Sequence, residues 1–310
     1  MNWAPFTFRL SFRLGAIHIG SASFRAIQPD THPFALPAHP DFDVLPVNVF
    51  DKSTEAIILR SHPIQQPLKR LSTQHGALCY VPATYRHYSV DLSGTFREYL
   101  DKLSPKTRSS LQRKVRKLQQ DGVEFRVFRS ADELLCFHPL ARQVSRKSYQ
   151  ENLLKSGLPD TPAFKAELLS HGERNTARAF LLLKDGTPIA YLYSPAEHGV
   201  LIYEHLGYDQ EFRNTSPGTV LQYLALEFLF AEQNFAMFDF EEGEGQHKQT
   251  FSTHSLECAD VFLFAPTWRA KALIRVHWLM NASVKALLAI AERTRLKVRL
   301  KRLIKTWSAK

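Results

Sequence analysis

The sequence predicts an α/β fold built on a mixed (α+β) sheet, and three observations carry that prediction. Short β-type runs alternate with helical runs through the middle of the chain. Two apolar runs, 177–183 and 188–194, flank Asp185-Gly186, a favoured hairpin pair. The stretch Gly199–Phe251 reads as strand, small-residue turn, helix, strand and turn. A parallel strand pair joined by a helix is the unit that places a ligand at strand C-termini.

The elements follow in order. Residues 1–92 are strand-rich and proline-rich, with Pro29, Pro33, Pro37, Pro40 and Pro46 marking loops. The N-terminus is basic (Arg9, Arg13, Arg25) with no acid before Asp30. A transit peptide would share that charge, but Arg9 and Arg13 break the apolar run, which favours an ordered first strand pair. A short helix is predicted over Ser93–Leu103. Ser104 caps the next, with Pro105 at its first position and Gly122 past its end. Val123–Phe128 is a strand, Ala131–Leu154 and Thr161–Leu169 are helices, and the hairpin follows. Val200–Leu206 is a strand, Val220–Ala231 a helix, and Ala236–Phe240 and Leu256–Phe264 strands.

Composition bounds the class. At 310 residues, 44% hydrophobic and 23% charged, the chain is long and apolar enough to bury one large core or two small ones. Cys79, Cys136 and Cys258 form no close pair and read as reduced thiols in a cytoplasmic protein, without a metal site. No apolar run reaches transmembrane length. The net charge of +10 is uneven: 266–310 holds twelve basic residues against Glu292 alone, so the remainder of the chain sums to −1. That C-terminal segment keeps helical apolar spacing through Leu296, Leu300, Leu303, Ile304 and Trp307 and carries three of the four tryptophans. A basic amphipathic helix with Trp suits an anionic membrane surface over 292–310, at the inner face. It equally suits packing on the protein's own body with a solvated basic face. Nucleic acid ranks last, because the segment lacks interleaved aromatics for base stacking.

The turn Arg213–Thr219 is the most informative segment. Small residues feeding a helix N-terminus present unpaired N–H groups and the positive end of the helix dipole, a phosphate site that needs no particular side chain. A nucleotide-containing ligand is implied, and its identity is left open by this feature alone.

The spacing Arg213-x-x-Ser216-x-Gly218 resembles the Q/R-x-x-G-x-G/A loop with which GNAT acyltransferases hold the pyrophosphate of acetyl-CoA. Ser216 stands where that pattern has its first glycine. Leu103–Lys114 resembles the basic helix of the CelD/BioF2-like branch, which is related to Fem-type peptidyl transferases. In that branch Gly207-Tyr208-Asp209 and Ser216–Thr219 are followed by D-F-x-x-G and Y-K. Here Asp239-Phe240-Glu241-Glu242-Gly243 is followed by His247-Lys248, with histidine in place of tyrosine. The resemblance spans Ser93–Phe264. It implies a GNAT domain at 93–264 between a strand-rich region at 1–92 and a basic helical extension at 265–310; since Fem-type relatives contain two GNAT-like units, 1–92 has the reading of a degenerate GNAT-like half.

The resemblance also implies roles. Leu206, Gly207, Arg213, Asn214, Thr215, Ser216, Gly218 and Thr219 would bind acetyl-CoA or another acyl-CoA, with the thioester near Leu206–Gly207, where a backbone N–H can polarise its carbonyl. Glu204, on the strand beside that point, is a candidate base, as is Asp239; His205 is a third, on the opposite face from Glu204 by strand alternation. Each also has a structural reading, Glu204 as a surface carboxylate and Asp239 as a loop-forming residue. Arg113, Tyr149, Glu241, His247 and Lys248 form the acceptor-binding set. Lys248 equally suits an i,i+4 pair with Glu244. Lys106, Arg108, Arg113, Lys114, Arg116 and Lys117 would receive the 3′-phosphate of CoA, a tRNA acceptor stem or an anionic acceptor, or else form a solvated face behind Leu111, Val115 and Leu118. The implied reaction is direct acyl transfer to an amine. A Fem-like aminoacyl-tRNA-dependent transferase and a catalytically silent, membrane-recruited module of the same fold are the alternatives.

Overall fold

The computed structural model describes residues 2–14, 17–33, 50, 53–74, 76–148, 151, 157–243 and 245–293. Contacts divide the chain into two compact units, Arg86–Leu256 and a second made of Met1–Tyr85 with Glu257–Lys310. These boundaries differ from the 93 and 264 drawn from sequence. The reason is pairing: the last strand runs antiparallel to the N-terminal region's strands and takes its core there.

In the second unit, β1 (Trp3–Leu14) and β2 (Ile17–Pro29) form a long antiparallel pair from Trp3↔Pro29 to Leu14↔Ile17. β2 runs parallel to β3 (Ala56–Pro63) for two residues. β4 (Leu71–Gln74) pairs β5 (Ala77–Tyr80). Both β3 and β5 pair with the last strand, β13 (His254–Phe264), β3 through Cys258–Phe264 and β5 through Phe262–Phe264. The C-terminal segment is one described helix, α7 (Trp268–Arg293), which lays Ala270 and Ile274 into a core with Phe8, Phe24, Phe262 and Phe264. Tyr80 Oη and His277 Nδ1, 2.7 Å apart, fasten it. No described helix is long and apolar enough to cross a membrane. The proposed membrane face over 292–310 falls outside the described residues, apart from the helical backbone of 292–293.

The unit 86–256 carries the motifs. Its strands run in the order β6 (Thr84–Asp91), β12 (Met237–Glu242), β10 (Val200–Ile202), β9 (Thr187–Glu197), β8 (Ala177–Lys184), β7 (Val123–Phe128), with β11 (His205–Tyr208) also on β9. β8 and β9 are buried on both faces, so they read as continuous apolar runs. One face of β8 (Ala177, Ala179, Leu181, Leu183) packs with α3 (Ala131–Lys147) and α4 (Pro162–Glu173). The other (Phe180, Leu182) packs with α1 (Phe96–Lys102), α2 (Pro105–Gln120) and α5 (Pro217–Glu232). α5 buries nearly every residue from Val220 to Leu226, the mark of a helix covered all round.

Local chemistry accounts for most boundaries. Thr95 and Glu98 close a capping box on α1, Ser104 caps α2 ahead of Pro105, and Ser130 with Glu133 closes a second box on α3. The helix predicted over 131–154 ends at Lys147, where Ser148 turns extended. The strand predicted as continuous over 200–206 breaks at Tyr203 and Glu204. A short helix absent from the sequence-based prediction, α6 (Gln246–Phe251), follows β12.

A buried charge pair fastens the far end of α5 to the sheet. Arg178 is 1% exposed and forks onto Glu232, with Nε 2.8 Å from Oε2 and Nη2 2.7 Å from Oε1; its plane lies 4.9 Å over Phe235. Removing Glu232 leaves the Arg178 charge buried without a carboxylate, whereas Glu232 itself is 15% exposed and keeps Arg129 Nη1 at 3.7 Å. Glu232→Ala is therefore expected to lower stability by about 3 kcal/mol or more in urea unfolding; a loss under 1 kcal/mol would contradict this account.

Candidate active site

The site arises where two strands part. β10 pairs parallel with β12 only through Val200↔Met237, Leu201↔Phe238 and Ile202↔Asp239, and the last bond between them runs from Tyr203 N to Asp239 O at 2.8 Å. Beyond it β11 stays on β9, with Leu206↔Leu192 and Gly207↔Tyr191. β12 stays with β6 but its register shifts after Asp239, and Glu241 turns left-handed at φ 57°. Asp209 N bonds Ile189 O of β9, so strand alternation turns the N–H groups of Leu206 and Tyr208 toward the gap.

The gap is a cleft of about 260 Å³ walled by Tyr203, Leu206, Tyr208, Phe251 and His247, with Arg213 and Ser216 from the turn before α5 and Gly218, Thr219 and Gln222 along α5. Its mouth is the turn into α5. Asp209 caps a 3₁₀ turn, Gln210–Thr215, and Ser216 follows in the left-handed region, φ 56° and ψ 50°. This conformation costs an L-residue about 1–2 kcal/mol and explains why the resembling pattern has glycine there. No side chain caps α5. Thr219 and Val220 N–H bond back to Ser216 O, Pro217 has no N–H, and the Gly218 N–H has no partner among the described residues. A side chain at Gly218 would meet Tyr208 Cδ1 at 3.2 Å and Leu206 Cδ2 at 3.4 Å, and one at Gly207 would strike the Tyr191 ring.

A second cavity, about 410 Å³, adjoins the first at Thr219, His247 and Phe251. Lys106, Thr107, Ser110 and Lys114 of α2 form its other wall. Those positions share one helix face, bordered by the buried Leu111, which also lines the cavity; Val115 and Leu118 are buried away from it. Arg113, the residue singled out from sequence, is exposed and lines neither cavity.

His247 occupies the junction, its ring 5.6 Å from that of Tyr203. Much of the ring meets solvent, but the surrounding walls desolvate it, and that effect, with Lys248 next door, draws its pKa below 6.5. Burial likewise raises the Tyr203 hydroxyl well above its ordinary value. Lys248 donates to the carbonyls of Glu242 (2.5 Å) and Glu241 (3.4 Å), and desolvation lowers its pKa against the upward pull of Glu241, Asp239 and Glu242. Its suggested partner Glu244 lies outside the described residues, as does Tyr149. Glu241, at the end of β12, is raised by desolvation and by the charges of Asp239 and Glu204.

The three candidate bases sit as follows. Glu204 is exposed and absent from the cleft lining. His205 Nε2 lies 3.3 Å from Glu204 Oε1, not on an opposite face, because the strand break at 203–204 resets the alternation. The His205 ring stacks on Tyr193, 6.4 Å away. Asp239 is 4% exposed, accepts the Glu241 N–H at 2.7 Å and lies 2.5 Å from His87 Nε2, which suits a role in building the β12 turn. Leu206, Arg213, Ser216, Gly218 and Thr219 converge on the cleft; Gly207 is buried beneath Tyr191; Asn214 and Thr215 lie outside the lining, with Thr215 Oγ1 bonded to Phe212 O. Sequence reasoning missed Tyr203, Tyr208, Gln222, Phe251 and His87. Spacing held a signal for three of them: Tyr208 is two along the strand from Leu206, Gln222 four along the helix from Gly218, and Phe251 four from His247.

The geometry matches a known domain. Residues 105–249 match the family model described as "Acetyltransferase (GNAT) domain". The chain carries a GNAT acyltransferase domain. No curated protein matches it. Among solved structures, FemX aligns at a TM-score of 0.55 and 12% identity, over 87% of this chain and 90% of FemX. The C-terminal domain (DUF2156) of a protein described as a lysylphosphatidylglycerol synthetase, from Agrobacterium fabrum, aligns at 0.47 and 15% over 75% and 73%. L-PGS from Bacillus licheniformis aligns at 0.43 and 14% over 66% and 67%. At these identities the likeness is one of fold. Ser216 holds left-handed backbone without glycine's freedom, so Ser216→Gly is expected to raise stability by about 0.5–1 kcal/mol and Ser216→Val to lower it. Thermal unfolding of both variants tests this.

Proposed function

We propose that this GNAT domain transfers an acyl group from an acyl-CoA to an amine, by direct attack and without a covalent enzyme intermediate. One observation carries the reading: β10/β11 and β12 part just where the uncapped start of α5 arrives. The free Gly218 N–H, the positive helix end and Arg213 suit a pyrophosphate. The gap-facing N–H groups of Leu206 and Tyr208 and the apolar walls suit an amide-bearing arm. Lys106 and Lys114 suit a further phosphate at the nucleotide end. Acyl-CoA supplies the activated acyl group; the protein's part is to hold it, orient the amine and take its proton.

His247 is the residue best placed for the proton. It lines the cleft, and its lowered pKa keeps the imidazole neutral, and so able to accept, at pH 7. Its solvent-facing side lets the proton leave. The charges are polar along the site: lysines and arginine at the phosphate end, Glu204, Glu241 and Glu242 near the end of β12. A cationic amine approaching from the acidic end meets favourable potential.

A second reading, an aminoacyl-tRNA donor, is favoured by the alignment with FemX over most of both chains. On that reading Lys106 and Lys114 would contact an acceptor-stem phosphate.

The deciding test is thermal unfolding with acetyl-CoA and longer acyl-CoAs. A ligand at about a hundred times its dissociation constant adds roughly 2.7 kcal/mol. The shift should vanish in Gly218→Trp and shrink in Lys106→Ala/Lys114→Ala, with a weaker salt dependence. Protection by aminoacyl-tRNA and by no acyl-CoA would replace this reading with the second. Binding without turnover over a broad amine panel would mark a silent module. In an active enzyme the acid limb of the rate–pH profile should lie below pH 6.5, since the base is lost only as His247 protonates. A limb well above that value would remove His247 from the role.

A further inference from the structure

Gln222 has no place in the reading so far. It sits one turn into α5 beyond Gly218 and lines the cleft, yet is 2% exposed. Its Nε2 is buried with no hydrogen-bond partner among the described residues. A buried amide nitrogen without a partner is costly, because it has surrendered water for nothing. The walls beside it, Leu206, Tyr208 and Phe251, offer mainly carbon. A core position with no role would be better filled by leucine, which suits the helix and buries only carbon.

We infer that the Gln222 carboxamide is the specificity contact for the donor's arm, pairing with a secondary amide of a pantetheine chain. This rests on the acyl-CoA reading. A carboxamide presents both a donor and an acceptor, and so matches a ligand group that also presents both. The register agrees. Gly218 and Gln222 lie on the same helix face, about 6 Å apart along the axis. A pyrophosphate held at Gly218 is followed, a few bonds along the arm, by a carbon bearing two methyl groups, a hydroxyl carbon and then the first amide. The methyl groups would meet Leu206 and Tyr208, and the amide would come level with Gln222. The satisfied hydrogen bond exists only with the arm in place, so the contact selects for a ligand carrying that amide and not merely for phosphate.

The experiment is calorimetric titration of the full-length protein and Gln222→Leu with two probes: coenzyme A, and adenosine 3′,5′-bisphosphate, which keeps the nucleotide end and lacks the arm. Gln222→Leu should bind coenzyme A about tenfold more weakly or worse, the scale of one lost hydrogen bond. Its affinity for the bisphosphate should stay within about twofold, showing that the phosphate end is intact. The ligand-free variant should melt higher than wild type, because an unpaired buried amide has been removed. Equal coenzyme A affinity in both proteins would sink this inference while leaving the acyl-CoA reading standing. An equal loss for both probes would make Gln222 a packing residue. A wild type that binds no coenzyme A would overturn the inference and the reading together.

Discussion

The site depends on how briefly two strands stay together. β10 and β12 share three residue pairs and one further bond, Tyr203 N to Asp239 O, before they part. Each then keeps its other neighbour, β11 on β9 and β12 on β6, so the backbone loses only the ladder it would have formed across the gap. Backbone groups left without a ladder need another partner. A sheet opened in its interior is therefore a recognition surface by construction: it offers main-chain donors, lies between apolar layers and meets the start of a helix at its rim.

The unfavourable local features collect at this opening. Ser216 and Glu241 both hold left-handed backbone, α5 starts without a side-chain cap, and Gln222 buries an amide nitrogen that has no partner among the described residues. Each would be removed by selection for stability alone. They persist because surrounding elements over-determine them. Asp209, itself buried, anchors the 3₁₀ turn through the Glu211 N–H at 3.0 Å and receives Lys147 Nζ at 2.8 Å. Asp239 does the equivalent for β12 with the Glu241 N–H and His87. At the other end, Arg178 and Glu232 hold α5 against β8. A rigid frame thus carries strained rims, the arrangement a preorganised binding site requires.

Much of the fold was legible because its signals are local. Ser104-Pro105 at the head of α2, Asp185-Gly186 in the hairpin and the apolar runs of β8 and β9 act over a few residues, and the structure has these elements where the residues put them. The turn Arg213–Thr219 was legible for the same reason: small residues and a proline before an apolar run mark the start of a helix whatever lies around them. Strand alternation misled at His205, because it holds only while a strand continues, and this one is interrupted at Tyr203 and Glu204.

The amino-acid sequence by itself determined the α/β class, the caps and turns, the turn into α5 and the charge of the C-terminal segment. These follow from propensity, periodicity and composition, which act between near neighbours. Only the tertiary structure decided which groups face one another. It brought Lys106 and Lys114 of α2 opposite His247 of α6, set Tyr203 and Gln222 inside the cleft, left Glu204 and Arg113 outside it, and tied Asp239 to His87. It also gave β13 to the strands of the N-terminal region. Such juxtapositions join residues as far apart as 87 and 239, and no local rule reaches that distance. They are settled by the packing of whole elements, in which burying apolar faces dominates and the polar groups of the site take the positions that burial leaves them.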